Sequence, residues 1–216
     1  MNLIILILIA IFSYLSGSLN FAIIVSNDLN KDDVRNHGSK NAGLTNMLRT
    51  YGKHEAFLTF LGDFLKGIIP IFIVRLCLPY FGLSEFLLPV LYFSMLFIIL
   101  GHSFPVYFKF KGGKGILTSA ACLLAIDWRI FAIIISLFLI SLLLSKIVSL
   151  SSIVGAVAAG VSGTFFIFHD NTNYPILSCL LLISIVIFVI ARHKENIKRL
   201  IRGTENKLSI GNKKQG

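Results

Sequence analysis

Between Gly101 and Ser119 the chain reads GHSFPVYFKFKGGKGILTS, which sets Lys109, Lys111 and Lys114 around Gly112, Gly113 and Gly115 with no acidic residue among them. Successive glycines let backbone N–H groups approach an anion closely, and the apolar run that follows starts a helix whose N-terminus adds partial positive charge. The lysines supply full charges, so this stretch suits phosphate binding. It is not a Walker A loop: Gly113-Lys114 precedes Gly115 rather than Ser or Thr, and the required earlier glycine is missing. A plain basic loop at a membrane surface would account for the lysines, but not for three glycines with interleaved aromatics.

Two further polar stretches offer complementary groups. In residues 26–54, Gly38, Ser39, Asn41, Gly43, Thr45 and Asn46 give hydroxyls, amides and flexible backbone, while Arg35 and Arg49 give charge. That set fits a polyol phosphate, or a solvated loop rich in turn residues. In RHKENIKRL, residues 192–200, a helix puts His193 and Asn196 three apart on one face and joins Arg192, Asn196 and Arg199. His193 can donate to phosphate or move a proton near neutral pH; a basic membrane-proximal helix is the plainer reading. Lys146 with Ser149, Ser151 and Ser152 is a weaker signal, because helical hydroxyls often bond only their own backbone. Asp63 and Lys66, at i, i+3 spacing, form either a neutralised structural pair or a pair bordering a polar cavity. No His, Cys, Asp or Glu cluster has ligand spacing, which predicts neither metal nor cofactor.

The elements that must position these groups are apolar. Of 216 residues, 56% are hydrophobic and 14% charged, and the mean hydropathy is +0.84, which excludes a soluble domain and predicts one membrane-embedded unit. The formal charge of +10 is interspersed with the apolar runs rather than gathered on one soluble face, so anionic headgroups or small phosphorylated substrates fit better than nucleic acid. Cys77, Cys122 and Cys179 sit in apolar segments without CxxC spacing and read as packing residues.

The pattern predicts seven transmembrane helices, over residues 3–25, 55–78, 86–104, 116–126, 130–145, 147–168 and 175–191. The first carries no Lys or Arg ahead of it and reads as a retained span rather than a signal peptide. Its Ser16, Gly17, Ser18 and Asn20 form a polar patch suited to a protein-facing surface. The fourth is short for a crossing and must borrow from the GGKG end or be shielded by neighbours. Asp127, Trp128 and Arg129 mark an interfacial turn. Placing 26–54, 106–115, Lys146 and the tail on one side collects nearly all Lys and Arg, so that side is cytoplasmic, the N-terminus outside and the C-terminus inside. The tail starts as a helical extension and ends, over residues 208–216, as a flexible segment.

GSLNF at 17–21, GSKNAGLTNMLR at 38–49, DFLKG at 63–67, GHSFPVYFKFKGGKG at 101–115, KIVSLSSI at 146–153 and RHKENIKRL at 192–200 together resemble the bacterial acyl-phosphate:glycerol-3-phosphate acyltransferases, the PlsY family. The GH-FPV---FKGGKG pattern is the most specific, and the resemblance covers nearly the whole chain. It implies a seven-helix membrane enzyme that moves a fatty acyl group from acyl phosphate to the sn-1 hydroxyl of glycerol 3-phosphate, giving lysophosphatidic acid and phosphate. It also implies roles: His193, Asn196, Lys114 and Ser149 in catalysis, and Ser39, Asn41, Thr45, Asn46, Arg49, His102, Lys111, Gly112, Gly113 and Ser152 in substrate binding. In keeping with it, no His is followed five positions later by Asp, so the HxxxxD pattern of the soluble-headed glycerolipid acyltransferases is missing. Two positions depart from the family pattern. Lys40 stands where GSGN is usual, and Asn20 where GS-PF is usual; a lysine cannot take a glycine-only conformation cheaply.

An acyl phosphate is already activated and needs no protein nucleophile, so the expected task is to hold two anions together. Lys111, Lys114 and the glycine amides are expected at one phosphate, and Arg49, Asn46, His193 and Asn196 at the other. The hydroxyl proton passes to His193, to His102 or, the favoured route, to the donor phosphate itself. A transporter or channel for an organophosphate and a noncatalytic lipid-binding scaffold are the alternatives; the chain shows no internal repeat of interrupted helices that a transporter would favour.

Overall fold

The computed structural model describes residues 3–208, which are all-helical. The α-helices are α1 (Leu3–Ser18), α2 (Phe21–Asn30), α3 (Leu44–Thr50), α4 (Lys53–Cys77), α5 (Leu87–Ser103), α6 (Ile116–Ile126), α7 (Trp128–Ser145), α8 (Val148–His169), α9 (Pro175–Ala191) and α10 (Lys194–Ile201). Runs of Ile, Leu, Phe and Val take this form because a bilayer offers backbone groups no partners, and a helix satisfies them internally. Side chains such as Leu143, Leu144 and Ile187 stay exposed on the outer surface. The protein-facing core joins α4 through α9 around Ile71, Met95, Ile99, Leu123, Ile130 and Leu182.

The first predicted span breaks in two. Asn20 ends α1 and caps α2, its Oδ1 accepting from Ile23 N at 3.2 Å and its Nδ2 donating to Ala42 O at 3.5 Å. The break frees backbone groups that a membrane interior would penalise, and the Asp63–Lys66 pair of α4 takes them up. Lys66 Nζ donates to Leu19 O at 2.7 Å, and Phe21 N donates to Asp63 Oδ1 at 3.3 Å. The two side chains are 2.7 Å apart and almost wholly buried, which makes them a structural ion pair with Asp63 also bordering a cavity.

Small residues set the helix crossings. A Cβ on Gly17 would lie 2.1 Å from Ile98 O, and one on Gly101 2.2 Å from Tyr14 O, so α1 and α5 touch backbone to backbone. Ser13 and Ser94 hydroxyls join at 2.7 Å in the same interface. Gly67 lets α4 reach α6, where Cys122 Sγ donates to Gly67 O at 3.4 Å. Cys122 is thus a packing residue as expected, whereas Cys77 is exposed at the end of α4 and does not pack.

Among the described residues, five helical stretches are long and apolar enough to cross a membrane, and a sixth follows if α9 and α10, bent by 57° at Arg192-His193, count as one. At eleven residues, α6 is about 16 Å long, half a bilayer core. It does not extend into the GGKG segment, because Gly115 takes a left-handed φ of +85° and starts the helix only at Ile116. Neighbours shield it instead: Thr118, Ala121, Cys122, Leu123, Ala125 and Ile126 are buried against α4, α5 and α7. Of the predicted flexible tail, residues 209–216 lie outside the described residues. Leu208 is tied down, its N–H donating to Lys146 O at 2.7 Å.

Candidate active site

The three polar stretches meet at one cavity of about 570 Å³, enclosed by α3 through α10. The 38–46 loop stands on Asn46, which is buried and uses its whole amide on it. Oδ1 accepts from Ser39 N at 2.9 Å, and Nδ2 donates to Val34 O and His37 O at 3.0 Å each. Asn46, expected at a phosphate, lines the cavity and at the same time staples the loop with its whole amide. Gly38 at φ +54° accepts this crowding, since a Cβ there would sit 2.3 Å from Asn46 Oδ1. Lys40 does adopt a left-handed φ, +57°, so the loop keeps a shape that glycine would take without strain. Ser39, Asn41, Thr45 and Arg49 line the cavity, and their side chains have no partner among the described residues. Arg35, by contrast, is spent on structure. It pairs with Asp33 and donates to Phe108 O at 2.9 Å and Lys111 O at 2.8 Å, stitching the first loop to the second.

The glycine-rich loop departs from expectation. Gly112 N donates to Ser103 O and Gly113 N to His102 O, both at 3.1 Å, so these amides cap the C-terminus of α5 and are not offered to a ligand. Neither glycine tolerates a side chain: a Cβ on Gly112 would lie 2.1 Å from His102 O, and one on Gly113 2.2 Å from His102 Nε2 and 2.5 Å from Ala42 O. Lys111 is exposed and outside the cavity lining. Lys111, Gly112 and Gly113 are expected at a phosphate; here the two glycines close the loop onto α5, Lys111 lies outside the cavity lining, and Lys114 is aimed inward. Gly115, Ile116 and Leu117 line the cavity too, so the first turn of α6, with its partial positive charge, faces it.

Lys114 Nζ donates to Asn196 Oδ1; Asn196 Nδ2 donates to Glu205 Oε1 at 3.0 Å; Arg199 Nε donates to Glu205 Oε2 at 2.8 Å. Burial pushes the Lys114 ammonium down to about 8; Glu205 raises it, and Arg199 and Arg192 lower it. His193 is buried with Nδ1 2.8 Å from Val189 O. A carbonyl can only accept, so Nδ1 carries the hydrogen and Nε2 of the neutral ring keeps its lone pair. Arg192 does not line the cavity. Its Nη2 donates to Gly113 O at 3.1 Å and its guanidinium lies 5.0 Å from the Phe104 ring centroid, locking α10 onto the glycine loop. His102 borders the cavity, with Nδ1 3.5 Å from Thr118 Oγ1; Asp63 Oδ1, at 4.0 Å, is beyond hydrogen-bond reach.

On α8 the serines separate. Ser152 Oγ back-bonds to Val148 O at 2.8 Å, whereas Ser149 Oγ is buried without a partner. Ser119 Oγ, on the first turn of α6, is likewise buried, unpartnered and at the cavity. Buried hydroxyls are ordinarily bonded, and among the described residues these two unpartnered hydroxyls belong to cavity-lining serines. Ser119 and Glu205 line the cavity but escaped the sequence reading, whereas Asp63 was read there as one of a pair that could border a cavity. Glu205 left one trace, an acid in a basic tail. Below the serines the cavity is lined by Leu123, Ile134, Phe138, Ala159, Leu182 and Ile185, so one continuous space has a cationic, hydroxyl-bearing end and an apolar end.

A family model described as glycerol-3-phosphate acyltransferase matches residues 7–203. The chain is 38% identical over 209 residues to the glycerol-3-phosphate acyltransferase of Clostridioides difficile, covering 97% of both chains. With that of Coxiella burnetii it shares 42% over 202 residues, 93% of this chain and 96% of the relative. Among solved structures it resembles the glycerol 3-phosphate form of PlsY, an integral membrane glycerol 3-phosphate acyltransferase. The TM-score is 0.80 and the identity 35%, over 94% of this chain and 96% of that one. The lysophosphatidic acid form of PlsY matches with a TM-score of 0.77 at 34% identity.

Proposed function

This chain belongs to the glycerol-3-phosphate acyltransferase family, and from that premise we propose that it moves a fatty acyl group from acyl phosphate to the sn-1 hydroxyl of glycerol 3-phosphate. The observation that carries the reading is the cavity itself. Its cationic end suits two phosphates, and its apolar end suits an acyl chain. An organophosphate transporter would need no apolar chamber beneath its anion site.

Lys114 and Arg199, with the first turn of α6, form one anion station. Arg49, with Ser39, Asn41 and Thr45, forms the other. Bound together, the substrates hold hydroxyl and acyl carbonyl adjacent, and proximity supplies much of the rate. The hydroxyl oxygen bonds to the acyl carbon, the bond from that carbon to the phosphate oxygen breaks, and the hydroxyl proton ends on the departing phosphate. Ser149 Oγ donates to the carbonyl oxygen as charge builds there. His193 Nε2 orients the hydroxyl, Asn196 fixes the Lys114 ammonium, and Lys114 stabilises the leaving phosphate.

The same reading has seven crossings, α6 being the shielded short one, with the cavity mouth on the cytoplasmic side of a bacterial plasma membrane. Purified protein incubated with acyl phosphate and glycerol 3-phosphate yields lysophosphatidic acid and inorganic phosphate in equal amounts. Absence of that product, with uptake of glycerol 3-phosphate into proteoliposomes, would return the protein to the transporter class.

A further inference from the structure

The apolar half of the cavity bears on which acyl chains are used. Resting on the proposed function, we infer that acyl-chain length is set by chamber depth along α8, with Gly155 standing open at mid-depth and Leu182 as the floor. Ser149, Gly155 and Ala159 mark the wall. At the helical rise, Gly155 lies about 9 Å and Ala159 about 15 Å below Ser149.

The floor has a specific construction. Leu182 is fully buried and lines the apolar end of the chamber with Ala159. Gly163 makes room for it: a Cβ there would fall 2.4 Å from Leu182 Cδ2 and 3.4 Å from Ile130 Cδ1. The missing methyl therefore lets Leu182 drop into a notch that Ile130 backs. Gly155 is the opposite case. The nearest atoms to a Cβ there are Ile134 O at 3.8 Å and Phe138 Cβ at 3.9 Å, ordinary contacts that leave space beyond. Gly155, Ile134 and Phe138 all line the cavity, so a larger side chain at 155 fills the space between α7 and α8 that the acyl chain would use. Interiors at crystal-like density do not absorb extra methylenes, so a chain longer than the chamber is excluded at the floor.

The test is a competition among octanoyl, lauroyl and palmitoyl phosphates with glycerol 3-phosphate as acceptor, read as relative kcat/KM. Gly155→Leu, which also raises helix propensity, lowers lauroyl relative to octanoyl by about tenfold or more. Its retained octanoyl turnover reports that it is folded. Gly163→Ala crowds Leu182 and lowers palmitoyl relative to lauroyl by less. Leu182→Ala removes the floor and raises palmitoyl relative to lauroyl, so a Gly155 variant inactive on every chain still leaves a deciding measurement. Wild-type ratios in active variants would overturn the inference and mean that the chain leaves the chamber sideways into lipid. No lysophosphatidic acid from any donor with the unaltered protein would instead overturn the proposed function and, with it, this inference.

Discussion

Lys114 is the residue on which the chemistry turns, because it is the cation whose burial leaves it only partly charged in the physiological range. With its ammonium lowered to about 8, it carries its proton below that pH and loses it as pH rises through that value. A phosphate station needs the charged form. The kcat/KM for glycerol 3-phosphate, which reports the free enzyme, therefore falls as pH rises above about 8. Lys114→Arg stays charged throughout, so in that variant the alkaline limb moves up by at least a unit even if its plateau is lower. An alkaline limb that Lys114→Arg leaves in place would assign it to another group. Lys114→Ala lowers kcat by about a hundredfold or more, the usual size of losing one charge at a departing group. At this scale the residue types that line the cavity were legible in the sequence, Lys114, Arg49, His193 and Asn196 among them. What was not legible is which groups the fold engages: Asn46 and Arg35 hold backbone carbonyls or a neighbouring acid, and Asn196 holds Lys114 and Glu205.

The elements explain the path of the glycine loop, which its local sequence does not show. Glycines beside lysines suggest amides turned toward a phosphate, but α5 ends just before the loop and leaves carbonyls that a membrane protein must satisfy. Gly112 and Gly113 fold back on Ser103 O and His102 O, and only glycine fits that approach. Gly112→Ala thus meets backbone at 2.1 Å, cannot be relieved by a side-chain rotation, and costs about 1–3 kcal/mol as overpacking. The check is thermal unfolding in detergent without substrate: the variant melts several degrees lower. An unchanged melting temperature with a raised KM for glycerol 3-phosphate would restore the amide-to-phosphate reading. Apolar periodicity also made the helices legible but not the break at Asn20, whose stability comes from Asp63 and Lys66, more than forty residues away. Glu205 was hidden for the same reason. Nothing local to Gly203-Thr204-Glu205 says that the chain returns to Arg199, Asn196 and, at Leu208, the Lys146 carbonyl.

The whole molecule is asymmetric in charge, and the structure strengthens the asymmetry that the sequence suggested. At the end of the bundle away from the cavity the basic residues are Arg75 and Arg129, and both are occupied. Arg75 Nη2 donates to Ala125 O at 3.0 Å and Ile126 O at 2.8 Å, capping the C-terminus of α6. Arg129 is held by Asp127 and Asp170, which neutralise it. The cavity end keeps unpaired cations, including Arg49 and Lys40. The excess of Lys and Arg at the cavity end predicts, by the positive-inside rule, that this end faces the cytoplasm. Cysteine labelling decides it. In a background with Cys77, Cys122 and Cys179 replaced by Ser or Ala, Ser84→Cys reacts with a membrane-impermeant maleimide in intact cells. Lys198→Cys, on the exposed side of α10, reacts only after permeabilisation. The reverse pattern would turn the cavity outward and away from a cytosolic supply of glycerol 3-phosphate, and labelling of both positions in intact cells would remove the odd number of crossings between them.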